Sequence, residues 1–538
     1  MEGSIARFGS NYVLGLRARN CRTGDILDEG QAPAAKKEDV FKALGQMANR
    51  FRTLASESIP TVEREPSLPT DVTTPSLEAW RSFSAAMKAT QGKTETAETI
   101  SLLKRAIDID PKFAMAYAYL GRMYGDLGGN ELGEQNVAKA YELRDHVSDS
   151  ESFFIAFNYH RQVTGNLERA RQVLESWIQK YPRDLLPHGL FSGFTSQGSG
   201  RYEKAAEEGQ KAIELDPDFA IGYANVVVAH LYQNCLPEAE AVLRKASERK
   251  IDVIPFSLCR YLIAFLRSDK AAMEREVTQR KAKLEAQGWF EHQEALTSAY
   301  HGRLKEANWL SERAVDLARQ GGLPERAALF AGARAVWNAL FGIPAEAQRS
   351  AASALSLYRS RDADYGPAFA LAFLHDSAQA RKINADLEKR YPEDTSVQFS
   401  YLPSLRALDA LNDGEAAKAV EMTQAAAPYD LAVPRTAVFT NAFFGALYPV
   451  YVRGLAYSRM GRNREATAEF QKILDHPGIT LNDPIVPRTR LDLARTLLAS
   501  GDRAGAATVY QDLLALWQDA DSDTPLVEQA IAESAALL

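Results

Sequence analysis

The sequence predicts a mainly α fold, a right-handed α–α superhelix (a solenoid of helix pairs) preceded by a small partial α/β segment. Amphipathic helical patterns recur in pairs from residue 76 onward, and a glycine or proline turn separates most of them. A small residue stands near the start of almost every second helix, where two antiparallel helices must approach closely. Before residue 58 the apolar pattern first alternates, as in strands, and then changes to helical spacing.

The repeat period is followed through the residue that opens each second helix. These residues, small in all but one case, are Gly133, Ala170, Ala205, Ala239, Met273, Ala307, Ala347, Ala380, Ala419, Ala466 and Ala506. The first five gaps between them are 37, 35, 34, 34 and 34 residues, and the later gaps range from 33 to 47. Because helix–turn–helix repeats have a period of about 34 residues, we expect about twelve helix pairs over residues 76–521. The apolar helix in residues 522–538 is expected to cap the array.

The first 75 residues have a different organisation. Apolar residues alternate on both sides of a turn at residues 9–11, which predicts a β-hairpin, and Ile26 and Leu27 predict a third strand. Helical spacing from Val40 to Leu54 predicts one amphipathic helix. Residues 1–58 therefore form one predicted segment, and residues 59–75, rich in Pro, Thr and Glu, are predicted to be a linker.

Composition and charge exclude several classes of protein. Hydrophobic residues make up 46% of the chain and charged residues 25%, which is ordinary for a globular protein. A net charge of −7 argues against a nucleic-acid partner, whose binding surface would be basic. The three cysteines, Cys21, Cys235 and Cys259, form no CxxC pair, so we expect free thiols. No signal peptide and no apolar run long enough for a membrane span are found, so a cytoplasmic location is expected for the chain as written.

Enzyme signatures are absent from the sequence. There is no GxxxxGKS/T phosphate loop, no GxGxxG, no HRD or DFG pair, no HExxH and no GxSxG. We therefore expect no catalytic, cofactor-binding or metal-binding residues. One alternative stays open at KILDHPGITLNDPI, where Asp475, His476 and Asp483 could share a metal ion. The competing interpretation, which we favour, is a loop between repeats punctuated by Pro and Gly.

Binding is the function that such arrays usually serve. The first helix of each pair is expected to line a concave groove that takes a protein or peptide ligand. Tyr117 sets the helical register from which the exposed positions of successive first helices are counted. The partner-binding residues predicted in this way are Arg122, Ile155, Tyr159 and Gln162. Tyr159 and Arg122 have the chemistry of residues that dominate binding energy at interfaces. The alternative for Ile155 and Tyr159 is packing between neighbouring helices, and for Ile155 we prefer it.

The run from Ser76 resembles the tetratricopeptide repeat (TPR) family, best seen in AMAYAYLGRMYGDLGGNELGEQNVAKAYEL at Ala114–Leu143. LYPVYVRGLAY, EFQKILDHPGITLNDPI and TVYQDLLALWQDADSDTPL resemble the carboxy-terminal TPR half of acidobacterial eukaryotic-like serine/threonine protein kinases. GSIARFG and Thr23-Gly24-Asp25 resemble the last strands of the TolB-like segment of those proteins.

The resemblance implies a chain that begins inside the TolB-like segment and lacks the kinase domain and its membrane helix. It also implies that an array in such a membrane-anchored kinase would lie outside the cytoplasm. The Lys, Asn and Arg pattern of chaperone-binding TPR domains is not matched, because Ala118, Arg122, Ile155 and Tyr159 occupy the corresponding positions.

Three hypotheses about function follow. The first is a non-catalytic TPR scaffold that binds a protein or peptide, as the sensor or interaction region of a signalling protein. The second is a truncated or split part of a membrane serine/threonine kinase that acts with a separate kinase domain. The third is a metal-dependent hydrolase centred on His476. The identity of the ligand and the oligomeric state are not predicted by the sequence.

Overall fold

The computed structural model describes residues 2–9, 11–19, 23–36, 39–54, 74–91, 96–126, 130–195, 197–281, 287–433 and 445–537. The predicted linker at residues 59–75 therefore lies outside the described residues, except for its last two positions. The chain divides into two compact units. Unit 1 comprises Met1–Gly125 with Glu131–Val163, and unit 2 comprises Asp126–Asn130 with Thr164–Leu538.

Unit 1 begins with an antiparallel sheet in the order β1 (Glu2–Phe8), β2 (Asn11–Arg19) and β3 (Ile26–Ala34). Helix α1 (Val40–Leu54) covers one face of this sheet. The small core between them consists of Leu14, Ala34, Val40, Ala43 and Met47, all buried. The predicted hairpin, third strand and helix are thus all present.

The remaining helices of unit 1 have the predicted helix–turn–helix pattern. They are α2 (Leu77–Gln91), α3 (Thr96–Ile109), α4 (Ala114–Asp126), α5 (Asn130–Glu142) and α6 (Asp149–Asn158). Gly121 of α4 faces Gly133 and Val137 of α5 so closely that a Cβ at Gly121 would lie 2.8 Å from the Gly133 carbonyl oxygen. Small residues are needed there because the two helix backbones almost touch.

In the described part of unit 2, ten helices bury only one stripe of their surface. In chain order these outer helices are α7 (Leu167–Lys180), α9 (Tyr202–Leu215), α11 (Leu236–Glu248), α13 (Lys270–Lys281), α15 (Leu304–Gln320), α17 (Pro344–Leu357), α19 (Ser377–Arg390), α21 (Ala416–Gln424), α23 (Asn463–Leu474) and α26 (Arg503–Leu516). In α11 the buried stripe is Ala239, Val242, Leu243 and Ala246, at the spacing of one helical face. The outer helices are therefore the second helices of the predicted pairs.

The first helices of the pairs lie in the interior of unit 2. They are α8 (Leu185–Leu190), α10 (Ala220–Tyr232), α12 (Ile254–Leu266), α14 (Gln287–Tyr300), α16 (Pro324–Leu340), α18 (Arg361–Phe373), α20 (Leu402–Asn412), α22 (Tyr448–Arg459) and α25 (Ile485–Ala499). Every residue of α16 after Pro324 is buried, and so is every residue of α18 before Phe373. A helix that is buried on all sides has no face left for solvent.

Two further helices of unit 2 lie near its C-terminal end. Helix α24 (Pro477–Thr480) lies between α23 and α25, and α27 (Pro525–Ala535) follows α26. Leu526, Val527 and Ala530 of α27 are buried. The predicted fold class is confirmed: the protein is mainly α, with helix pairs in a TPR-like solenoid and a small sheet at its N-terminus. Among the described residues, none of the helices combines the length and the apolar character that crossing a membrane requires.

Candidate functional site

Two stretches of unit 2 pack against each other in parallel order. The first stretch is residues 165–342 and the second is residues 361–535. The contacts between them advance together along the chain: the Leu167 amide donates to the Thr395 hydroxyl (3.0 Å), and the Tyr202 hydroxyl donates to the Leu431 carbonyl. Further along, the Trp517 indole donates to the carbonyl of Tyr300 (3.2 Å). Successive turns of the array therefore lie side by side.

This packing fills the concave side of the array within unit 2. Arg488 of α25 donates a 2.9 Å hydrogen bond to the Leu340 carbonyl at the end of α16, and Phe341 packs on Trp517 with ring centroids 5.5 Å apart. The first helices, which we expected to line an open groove, are enclosed by the other turn of the same chain. In the described part of unit 2, the buried first helices therefore present little surface to an extended peptide.

The predicted partner-binding residues lie in unit 1, and the structure places them in different environments. Ile155 is fully buried and Gln162 is 2% exposed, so neither side chain presents a surface to a partner. The Gln162 amide packs where Gly125 and Gly133 leave space for it. Arg122 and Tyr159 remain half-exposed. Of the four predicted residues, these two are the ones that a partner could reach.

Tyr159 belongs to an aromatic and cationic group on the surface of unit 1, which we call the Tyr159 cluster. The ring of Tyr159 stacks on that of Tyr141, with centroids 3.8 Å apart and planes inclined by 12°. The guanidinium of Arg144 lies 3.7 Å from the centroid of the Tyr141 ring. His160 meets Tyr159 edge to face at 5.5 Å. All four residues are half-exposed.

Local structure positions this cluster. Helix α6 starts with a capping box in which the Ser148 hydroxyl accepts from the Glu151 amide and the Glu151 carboxylate accepts from the Ser148 amide (3.0 Å). The helix ends in a π turn, Tyr159–Val163, which brings Tyr159 onto Tyr141. Tyr141 and Arg144 were not among the predicted partner-binding residues. Their only signal was the aromatic and basic composition of YELR at the end of α5.

Unit 2 contains a cavity of about 680 Å³ between its two stretches, which we call the interturn cavity. Helices α12 to α15 line it from the first stretch, and residues from α23 to the end of α26 line it from the second. Its wall includes the hydroxyls of Tyr261, Thr297 and Ser298 and the guanidinium of Arg490. The interturn cavity is the part of the concave side that the packing of the two stretches leaves open. No sequence motif marks it, because its residues come from eight helices.

The residues of the alternative metal site each have other partners. His476 shares a 2.7 Å hydrogen bond between Nδ1 and the Lys472 carbonyl, and Asp475 accepts from the Gln471 amide at 2.8 Å. Asp483 accepts from the Tyr448 hydroxyl at 3.0 Å and from the Ile485 amide at 2.9 Å. Within the described parts of the chain, no three His, Cys, Asp or Glu residues are grouped so that they could hold a metal ion.

Comparisons with known proteins find similar chains among solved structures. No family model and no curated protein matches the chain. Among 197 similar chains of solved structure, the APC/C hetero-tetramer Cut9–Hcn1 is 15% identical, with 92% of this chain and 85% of that chain covered and a TM-score of 0.40. The P58(IPK) TPR domain is 13% identical (85% and 98% covered, TM-score 0.21), and yeast Tom70 is 14% identical (85% and 95%, TM-score 0.26).

Proposed function

We propose that this chain is a non-catalytic TPR-type scaffold that binds a protein or peptide partner, and that it serves as the sensor or interaction region of a signalling protein. The observation that supports the proposal is the Tyr159 cluster in unit 1. Stacked Tyr141 and Tyr159, with Arg144 on the Tyr141 ring, combine the residue types that contribute most to binding at protein interfaces.

The physical basis is the cost of ordering the side chains. Stacking already restricts the rotamers of Tyr141 and Tyr159, so a partner that covers them immobilises little that was free before. The rings offer apolar area, while the hydroxyls and the Arg144 guanidinium supply hydrogen-bond donors. We expect the partner to present an acidic group to Arg144 and an apolar group to the ring of Tyr159.

The test compares Tyr159 with an exposed aromatic residue of unit 2 that also belongs to an aromatic and cationic group. The full chain and its Tyr159→Ala variant are used to capture proteins from native lysate. Trp309→Ala is the matched control, because Trp309 is 54% exposed and has the Arg313 guanidinium 5.0 Å from its ring, but lies on α15 of unit 2. A captured protein is then purified and its dissociation constant measured for all three chains.

The expected result is a partner whose affinity falls by about tenfold or more in Tyr159→Ala and stays within about twofold in Trp309→Ala. Equal affinities for the wild type and Tyr159→Ala would show that the cluster is only packing between helices. A set of captured proteins that is identical for all three chains would also overturn the proposal.

The finer form of the proposal concerns the partner. The sequence resemblance to the TPR half of receptor kinases supports a separate serine/threonine kinase domain as that partner. Titration of the purified chain with a kinase domain encoded in an adjacent reading frame tests this form. It is abandoned if the Tyr159-dependent partner contains no kinase domain, while the scaffold proposal itself stands on the affinity comparison.

A further inference from the structure

Arg490 differs from the neighbouring arginines of helix α25. Arg488 pairs with Asp492 at 2.9 Å, and Arg495 pairs with Glu533 at 2.7 Å. In the described parts of the chain no carboxylate pairs with Arg490, and no acceptor lies within hydrogen-bonding geometry of its buried Nε. The Arg490 side chain lines the interturn cavity. A guanidinium in a partly enclosed space without a counter-charge favours an anion that brings one.

The surroundings of Arg490 support recognition of an anion. Burial raises the pKa of the Tyr300 hydroxyl, and the adjacent Arg490 guanidinium partly opposes that rise. Tyr300 therefore stays a neutral hydroxyl, able to donate a hydrogen bond at physiological pH. A hydrogen bond from the Arg490 guanidinium to the Tyr300 hydroxyl orients the guanidinium before a ligand arrives.

Part of the cavity wall is apolar. Phe265, Val277, Leu310, Leu481 and Val486 all line the cavity and are less than a tenth exposed. Such a wall suits an aliphatic or aromatic body and gives no hydrogen bond to a sugar or a nucleotide base. The volume of about 680 Å³ lies within the range of pockets that take small organic ligands.

Three of the four carboxylates in the lining are paired or lie at the mouth of the cavity. Glu306 accepts from Ser298 (3.0 Å) and pairs with Arg303 (2.9 Å), while Glu274 and Asp519 are exposed residues at the mouth. Burial raises the pKa of the Tyr261 hydroxyl, and the charge of Glu294, the fourth carboxylate, adds to that rise. An acidic mouth disfavours anions with several charges, so a single negative charge at Arg490 is the best match.

We propose that the interturn cavity binds a small monocarboxylate with an apolar aliphatic or aromatic body, whose carboxylate pairs with Arg490 and whose body lies against the apolar wall. The ligand contacts both stretches of unit 2 at once, so its binding stabilises their packing by mass action. This site is independent of the Tyr159 cluster, and it gives the scaffold a small-molecule ligand in addition to its protein partner.

Calorimetric titration of the full chain tests the proposal with named probes. Decanoate and indole-3-acetate carry the carboxylate on two different bodies, while decanol, indole-3-acetamide and tryptamine replace it by a neutral or a cationic group. Phosphate supplies an anion with no apolar body, and the peptide Ala-Leu-Phe supplies a carboxylate at a chain end. We expect one site per chain for decanoate or indole-3-acetate, and an upward shift of the thermal unfolding midpoint on binding.

Variants identify the site. Arg490→Met is expected to weaken binding of the carboxylate probe by roughly tenfold to a hundredfold, the loss typical of one charge-assisted hydrogen-bonded pair. Arg490→Lys keeps the charge but not the planar fork and is expected to have an intermediate affinity. Arg349→Met is the matched control, because Arg349 is 70% exposed and pairs with Glu346 on α17, away from the cavity.

A second variant distinguishes loss of ligand binding from loss of folding. Ala515 lies at the cavity with an exposed side chain, so Ala515→Trp obstructs the cavity without displacing the core. It is expected to abolish probe binding while the circular dichroism spectrum and the ligand-free unfolding midpoint stay those of the wild type. The proposal is overturned if neither carboxylate binds at concentrations on the order of 1 mM. It is equally overturned if the neutral, cationic or peptide probes bind as well as the carboxylates, or if binding is unchanged in Arg490→Met.

Discussion

The side-chain amide of Asn482 donates a 2.9 Å hydrogen bond to the hydroxyl oxygen of Thr297, which lies 185 residues earlier in the chain. The same amide donates to the carbonyl of Gln293 at 3.3 Å. Asn482 and Thr297 are 4% and 6% exposed. Together these bonds join the segment that precedes α25 to helix α14, and so hold the second stretch of unit 2 against the first.

Replacement of Asn482 by alanine is expected to lower the free energy of unfolding by about 2 kcal/mol, since it leaves buried polar groups of α14 without their donor. Chemical unfolding followed by circular dichroism measures the change. Gln210→Ala is the control, because the Gln210 amide bonds the exposed Glu214 at 3.3 Å one turn along the same helix, and its loss should cost less than about 0.5 kcal/mol. Equal losses in the two variants would contradict the role assigned to Asn482.

A second prediction concerns Gly478, where the two stretches touch through their backbones. A Cβ at Gly478 would lie 2.1 Å from the carbonyl oxygen of Leu231 and 3.0 Å from the amide nitrogen of Asn234. Gly478→Ala is therefore expected to separate α24 from the end of α10 and to cost roughly 3 kcal/mol or more, because backbone atoms cannot rotate away. Gly461→Ala provides the comparison: its φ is 70° but nothing lies within 4 Å of its Cβ, so only about 1 kcal/mol of backbone strain is expected. A smaller loss for Gly478 than for Gly461 would refute close packing at this point.

The third prediction is a pH-dependent stability from the buried pair His188 and Glu208, whose Nδ1 and Oε2 atoms lie 2.5 Å apart. The hydrogen bond to Glu208 raises the pKa of His188 against the opposing effect of burial. Burial would raise the pKa of Glu208, but hydrogen bonds from His188, Lys204 and Lys211 outweigh it and lower that pKa to about 2. Both partners are therefore charged together in weakly acidic solution.

The directions of the two pKa shifts determine the pH range in which the pair stabilises the folded state. A raised histidine pKa stabilises the folded state below the ordinary value of 6.5, and this contribution is lost as the pH rises through the raised value. A lowered glutamate pKa stabilises above 4.5, and its contribution is lost as the pH falls towards about 2. Glu208→Gln is expected to cost roughly 3 kcal/mol near pH 5.5 and clearly less near pH 9. Unfolding curves of both chains at the two pH values measure it, and a cost independent of pH would argue against the charged pair.

The fourth prediction concerns Asp483, whose pKa is raised, whereas the pKa of the Glu208 carboxyl is lowered. Burial raises the pKa of Asp483 from 3.8 to about 7, although the Ile485 amide and the Tyr448 hydroxyl oppose the rise. The folded state therefore takes up a proton more readily than the unfolded chain, and the stability contribution of this group declines as the pH rises from about 4 to about 7.

Asp483→Asn removes that dependence while its amide oxygen keeps the two hydrogen bonds. The variant should gain stability relative to the wild type between about pH 4 and pH 8, by an amount on the order of 2 kcal/mol, since residue Asp483 as a whole keeps some exposure. Urea unfolding of both chains at the two pH values gives this difference. A difference that does not change with pH would mean that Asp483 ionises normally.

Much of the fold could be predicted because close helix packing leaves a mark in the sequence. The residues expected to open the second helices fall on the fourth position of a helix in every case, as Ala170 does in Leu167–Lys180 and Ala506 in Arg503–Leu516. Those alanines are fully buried. Only a small side chain fits at this fourth position, where the paired helix crosses, so local composition was sufficient to predict the helix pairs.

The packing of one turn on the other could not be predicted in the same way. Gly478 and Asn482 have the composition of a loop, and in sequence they indicated only punctuation between repeats. Gly478 contacts Leu231 and Asn482 contacts Thr297. Because these partners are far away in the sequence, no local pattern predicts the contacts. The same limit applies to the predicted partner-binding residues: the helical register placed Ile155 and Tyr159 on one face, but only their neighbours decide that Ile155 is enclosed and Tyr159 is accessible.

The parallel order of the contacts between the two stretches has a consequence for how this chain can change over evolution. In an open solenoid each repeat meets only its neighbours, so a repeat can be gained or lost with local effects. Here, deletion of one helix pair from either stretch would move all later contacts out of step, placing Asn482 opposite a different helix from the one that carries Thr297. The number of helix pairs in unit 2 is therefore constrained much as the number of blades is in a closed propeller, and length variation is expected only outside the matched stretches.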